Sequence, residues 1–273
     1  MLQHTRRQLA LTAVARVAAA SLASPAAAQG RQADSTFRWS GRASAGQWIA
    51  LRNLNGSIRV EQGSGDQIQV RAVKSWRRGD PAAVRVEVTR YGPNDRDLLV
   101  CAMWTENTVC NEREYRTRSS GRGNRDNDVS VQYIVTVPRG VNVRSETVNG
   151  SVDVSGATGE VIASSVNGNV RASSTGGPVE ARAVNGNVYA RMGSIASSED
   201  LSYESVNGNV VVEFSGDLNA DLEMSTVNGG FETNFPLTLQ GRVNPKHLRA
   251  TVGTGGRQLR LKTVNGNVEL RRN

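Results

Sequence analysis

Histidine is almost absent from this chain of 273 residues, which carries only His4 and His247. No Ser-His-Asp, metal-ligand or phosphate-loop spacing surrounds either one, so the sequence predicts no catalytic residue, no metal ligand and no cofactor. Aromatic residues are only 5% of the chain. With 28 glycines and abundant Val, Ser, Thr and Asn, that leaves little material for amphipathic helices and much for short strands and tight turns. After residue 28 no run of 18 apolar residues occurs, which excludes a membrane-spanning helix. Cysteine is scarce too: Cys101 and Cys110 match neither a Cys-x-x-Cys pair nor a metal spacing with neighbouring histidines.

What is present begins with a leader. Arg6 and Arg7 precede an apolar stretch from Leu9 to Ala23, and Ala26-Ala27-Ala28 offers the small residues of a cleavage site. Residues 1–28 therefore read as a signal peptide, by the general secretory or the twin-arginine route, and the protein is expected in the periplasm, at the cell surface or outside the cell. No cysteine follows that cleavage site to carry a lipid. An oxidising compartment favours a Cys101–Cys110 disulfide, with Cys101–Trp104 folded back on Asn107–Cys110 as a hairpin.

The formal charge of +8 falls to +5 once Arg6, Arg7 and Arg16 leave, with 30 basic against 25 acidic residues. The densest basic run, Arg113 to Arg125, is interrupted by Glu114 and by Ser119-Ser120-Gly121, and reads as a loop. A nucleic-acid partner would want one-sided basic charge with interleaved aromatics, and none is expected.

The strongest pattern is a phrase built on Asn-Gly. It occurs at Asn149-Gly150, Asn167-Gly168, Asn185-Gly186, Asn207-Gly208, Asn228-Gly229 and Asn265-Gly266, with an upstream copy at Asn55-Gly56. Successive asparagines from Asn149 lie 18, 18, 22, 21 and 37 residues apart. A period near 20 residues predicts an all-β solenoid, like a parallel β-helix, in which each unit stacks on the next. Residues 141–273 form the expected array. Residues 29–140, with several alternating stretches, form an expected N-terminal antiparallel β capping region that holds the disulfide hairpin and one rung-like turn at Asn55-Gly56.

Aligned on the asparagine, the columns divide. The position two before it holds Thr147, Ser165, Ala183, Ser205, Thr226 and Thr263, and the next holds only valine, from Val148 to Val264. Two after the glycine stand Val152, Val170, Val188, Val210, Phe231 and Val268. All three columns are expected to face inward. One further on, Asp153, Arg171, Tyr189, Val211, Glu232 and Glu269 share no chemistry and are expected in solvent. Asn-Gly suits a turn with positive φ, and stacked asparagines can bond amide to amide along the axis.

The Thr-Val-Asn-Gly-x-Val phrase, Val137-Pro138-Arg139-Gly140-Val141 before the first rung and Thr251-Val252-Gly253-Thr254-Gly255-Gly256 before the last resemble the DUF4097 family of exported, adhesin-like bacterial proteins, kin to the DUF2807 head-domain adhesins. The resemblance spans Gln47 to Leu270 and implies an envelope or extracellular β-solenoid with no established reaction.

Two non-enzymatic readings follow. In one, a ridged face with Arg171, Tyr189 and Tyr203 binds a glycan or a surface protein; in the other, the array is an envelope scaffold or spacer. A polysaccharide-degrading enzyme needs paired carboxylates, and the one acidic pair in a column, Glu232 and Glu269, is expected to be held apart by the irregular stretch before Asn265. The oligomeric state stays open, and Glu269, Arg271 and Arg272 are expected to guard an open last rung.

Overall fold

The computed structural model describes residues 35–117, 127–193, 199–241 and 244–273. The expected signal peptide, and part of the Arg113–Arg125 loop, lie outside them. Two large sheets face each other across one apolar core. The chain runs up one sheet, turns at Asn-Gly, and leaves along the other, so the sheets are here called the entry and exit sheets. Helical turns among the described residues are the short 3-10 segments Pro81–Ala83 and Pro93–Asp95.

The stacked rungs pair in parallel and in strict register. In the entry sheet Asn149 aligns with Asn167, Asn167 with Asn185, and Asn185 with Asn207. In the exit sheet Val152, Val170, Val188 and Val210 align likewise. Period-2 alternation sends these valines into the core, each 1% exposed or less. Each such burial contributes about 1.5–3 kcal/mol relative to exposure. The all-β solenoid expected from the repeat is thus the observed fold.

The rung at Asn55-Gly56 belongs to this stack. Trp48–Asn55 pairs in parallel with Asn142–Asn149, and Ile58–Gln62 pairs in parallel with Val152–Ala157. Beyond it, antiparallel strands finish the end: Thr36–Arg42 and Gln67–Ser75 join Ser130–Val137 in the exit sheet, and Arg85–Tyr91 joins Asp97–Met103 in the entry sheet.

At the other end the spatial order departs from the sequence order. The Asn265 rung lies between the Asn207 and Asn228 rungs: Arg257–Lys262 pairs with both Leu201–Asn207 and Ala220–Ser225, and Val268–Arg272 with both Val210–Phe214 and Phe231–Thr233. The 37-residue interval holds Leu237–Leu239 and His247–Val252, antiparallel strands that extend the entry sheet beyond the Asn228 rung. Val268–Arg272 is therefore an interior strand, and Arg271 and Arg272 do not guard an open edge.

Each letter of the repeated phrase has its own physical role. The small residue two before the asparagine is buried, and its hydroxyl donates to the glycine carbonyl of the rung beneath: Ser165 to Gly150 at 2.7 Å, Ser205 to Gly186 at 2.8 Å, Thr263 to Gly208 at 2.7 Å. The asparagines form the amide ladder, Asn167 donating to Asn149 at 2.9 Å, Asn185 to Asn167 at 2.9 Å and Asn207 to Asn185 at 2.7 Å. Gly56, Gly150 and Gly266 carry the positive φ expected of an Asn-Gly turn, Gly168, Gly186, Gly208 and Gly229 do not, and what the glycines share is the need for space. A β-carbon on Gly186 would lie 2.1 Å from the Gly168 carbonyl oxygen, and one on Gly208 2.2 Å from that of Gly186. Among the described residues non-glycine positive φ is confined to Asn94 and Asp95, so none of the ladder asparagines adopts the hairpin-type turn expected for Asn-Gly.

Candidate functional site

The valine column before the asparagines was expected inside and lies outside. Val166 is 38% exposed, Val184 and Val206 40%, and Val227 58%. The cause is alternation: the neighbouring Ser165, Ala183, Ser205 and Thr226 point inward, so the next residue on each strand points out. Aliphatic side chains thus run as a ridge along the entry sheet, one per rung, exposed at Val166, Val184, Val206 and Val227 and half-buried at Val148 and Val264, at intervals of about 4.8 Å.

A groove of about 650 Å³ runs over this low ridge, bordered by longer side chains. Its floor is the valine column from Val148 to Val264, and its wall is the column two residues earlier, where Arg52, Glu146, Arg182, Glu204 and Lys262 alternate in charge around Ser164. One end is closed by the short hairpin of Val109–Cys110 and Tyr115–Arg116. Three ties hold that hairpin down. The Cys101–Cys110 disulfide fixes its first strand, the Tyr115 hydroxyl donates to the Ala102 carbonyl at 2.6 Å, and Arg52 donates to the Glu112 carbonyl at 2.9 Å. The two cysteines do not face each other on one hairpin as expected, because Val109–Cys110 pairs with Tyr115–Arg116 while Asp97–Met103 stays in the entry sheet.

Arg52 also donates to the Glu146 carboxylate and is nearly buried. Burial, and then the nearby charge of Arg144, lowers its pKa, while burial raises that of the Tyr115 phenol. The closed end is therefore a fixed, partly desolvated charge pair, and the open length is an apolar strip with charged side chains at its margin.

The residues expected to form a binding patch are split between core and surface. Arg171 and Tyr189 are neighbours on the outer face of the exit sheet, the guanidinium 5.7 Å from the ring centroid and 3.9 Å from Asp153. Burial, and then the hydrogen bond to Glu213, raises the Tyr189 pKa. Tyr203 is fully buried, its hydroxyl 3.0 Å from the Met192 sulfur, and takes no part in a surface patch. It shares the inward parity of Ser205, two residues on. Glu232 and Glu269, expected apart, align side by side because the Asn265 rung inserts beside the Asn228 rung. Glu269 is bonded to Arg271, and among the described residues no group of three or more His, Cys, Asp or Glu is placed to hold a metal ion. His247 lies 3.8 Å from Glu223.

No curated protein matches the chain significantly. Among solved structures, a putative cell adhesion protein from Clostridium sporogenes ATCC 15579 superposes with a TM-score of 0.49 at 8% identity, covering 87% of this chain and 100% of that one. A putative adhesin from Bacteroides fragilis NCTC 9343 gives a TM-score of 0.24 at 11% identity, over 88% of this chain and 98% of that one. A further putative adhesin, from Parabacteroides distasonis ATCC 8503, gives 0.22 at 14% identity over 87% and 98%. The strand registers, not these shallow superpositions, carry the fold. A family model matches residues 47–271, which contain all seven Asn-Gly rungs, and the chain belongs to the Toastrack DUF4097 family.

Proposed function

We propose that this is an adhesin-like, non-catalytic surface protein, exported to the cell envelope or beyond it, whose entry-face groove takes up an extended segment of a partner protein. The observation that carries this reading is the exposed valine ridge with its alternating charged wall. Contiguous apolar surface rimmed by charge is what association sites use. The ridge is aliphatic rather than aromatic, which favours a polypeptide over a sugar ring, and its strand-like repeat matches an extended chain. The disulfide supports an oxidising compartment. The rigid amide ladder supports the second reading, a scaffold or spacer with no ligand of its own.

The test is binding of the purified protein to arrays of bacterial and host surface proteins and glycans, at low and physiological salt. The expected result is saturable protein binding at physiological salt that Val184→Asp with Val206→Asp abolishes at unchanged Tm. Glycan binding that depends on Arg171 and Tyr189 instead would move the site to the exit face. No binding at all would leave the scaffold.

A further inference from the structure

The outer face of the exit sheet carries a row of side chains, one from each of its ten strands, whose order is complementary to its own reverse. From one edge the row begins Arg38, Arg71, Ile134, Arg59 and Asp153, each in register with the next across neighbouring strands. It continues Arg171, Tyr189, Val211, Glu269 and Glu232 to the other edge. All ten are exposed or half-exposed. Each end is a like-charge couple, Arg38 opposite Arg71 and Glu269 opposite Glu232; such a couple costs stability within a single sheet, and only the acidic one is offset in the chain, by the bonds of Glu269 to Arg271. Among the described residues Arg38, Arg71 and Arg59 make no ion pair.

We infer that this face is the interface of a two-fold homodimer, the occupant being a second copy of the chain. A two-fold axis parallel to the strands, passing between the strands of Asp153 and Arg171, lays the row on its own reverse. Arg38 then meets Glu232 of the second copy, and Arg71 meets its Glu269. Ile134 meets Val211, Arg59 meets the Tyr189 ring, and Asp153 meets Arg171 across the axis. Two salt bridges, an apolar contact, a cation–π contact and a central ion pair follow from one operation, each made twice.

The register is specific. Moving the axis to the Asp153 strand sets Asp153 against itself and Arg59 against Arg171. Moving it to the Arg171 strand sets Arg171 against itself. The adjacent outward row agrees with the central register, since the same axis brings Glu61 opposite Arg191, both exposed. Sheets packed face to face lie about 10 Å apart with strands aligned within about 30°, a gap that arginine and glutamate side chains span together. The ten strands give a contact about 43 Å long. A contact of this polarity is salt-sensitive.

Analytical ultracentrifugation of the full protein tests the inference. A dimer is expected at low salt, weakening at least tenfold in affinity at high salt. Arg38→Glu with Arg71→Glu should be monomeric, as should Glu232→Arg with Glu269→Arg. An equimolar mixture of these two variants should form heterodimers, because each then presents the charges that the other lacks; that recovery also shows that both variants are folded. A wild-type protein that stays monomeric at all concentrations would overturn the interface. So would a dimer that is indifferent to salt and to both charge reversals, or variants that are well folded by circular dichroism yet never pair when mixed.

Discussion

The Gly150 carbonyl oxygen lies 2.2 Å from where a β-carbon on Gly168 would stand. The neighbouring rungs stack at a separation that leaves no room for a methyl group at this corner, and the contact is backbone, which cannot rotate away. Gly168→Ala should therefore destabilise by about 1–3 kcal/mol, the usual range for an overpacked site. Gly65 is the control, because a β-carbon there would have nothing within 4 Å, and Gly65→Ala should leave stability unchanged or slightly raised. Urea denaturation of the two variants separates the outcomes.

Ala183 is the one member of its column from Thr147 to Thr263 that lacks a hydroxyl. The other five donate to the glycine carbonyl of an adjacent rung. Ala183→Ser should restore that bond to Gly168 in a buried setting and stabilise by about 0.5–1.5 kcal/mol. A Tm at or below wild type would show that the site cannot seat the oxygen.

Asn185 sits in the middle of the amide ladder, donating to Asn167 and accepting from Asn207. Asn185→Asp keeps the acceptor, removes the donor, and sets a carboxylate against the Asn167 carbonyl oxygen. The loss should be about 1–3 kcal/mol at neutral pH and smaller below the carboxylate pKa, where a protonated Asp can donate again. Thermal melts at the two pH values, referred to wild type at each, read this directly.

Val188 is fully buried and Arg171 is exposed on the next rung. Val188→Asp places an unpaired carboxylate in the core and should unfold the neighbouring rungs, whereas Arg171→Ala, compared at high salt where the inferred dimer is dissociated, should change Tm by no more than a surface substitution does. Equal melting temperatures would refute the inward and outward assignment of these columns.

Alternation made much of this fold readable. Thr147 and Val152 were placed inward by column chemistry and period alone, and both are buried. The apolar character of the valine before each asparagine points inward while its parity points outward, and parity prevails: Ser165 inward requires Val166 outward. Tyr203 failed for the same reason, since it lies two residues from the inward-facing Ser205. The candidate groove was hidden by that one column. Asn-Gly commonly signals a hairpin, but here the strands on either side enter different sheets, and the glycine answers to a carbonyl in the next rung. The order of the last rungs had no signal in the sequence: Thr226-Val227-Asn228 and Thr263-Val264-Asn265 carry the same phrase, so either could dock on Asn207.

The insertion of the Asn265 rung between those of Asn207 and Asn228 bears on how the protein is made. A nascent chain can add rungs in order of synthesis as far as Asn207, but the next phrase to emerge has its seat on residues 257–272, which are produced after it. Until residues 257–273 are complete, the Asn207 edge stays open and the Asn228 segment has nothing correct to rest on. Folding therefore cannot be finished rung by rung in order of synthesis, and a chain cut before residue 257 lacks an interior layer rather than a tip. Residues 257–272 serve as a keystone, locking the rung made just before them onto the rungs made earlier.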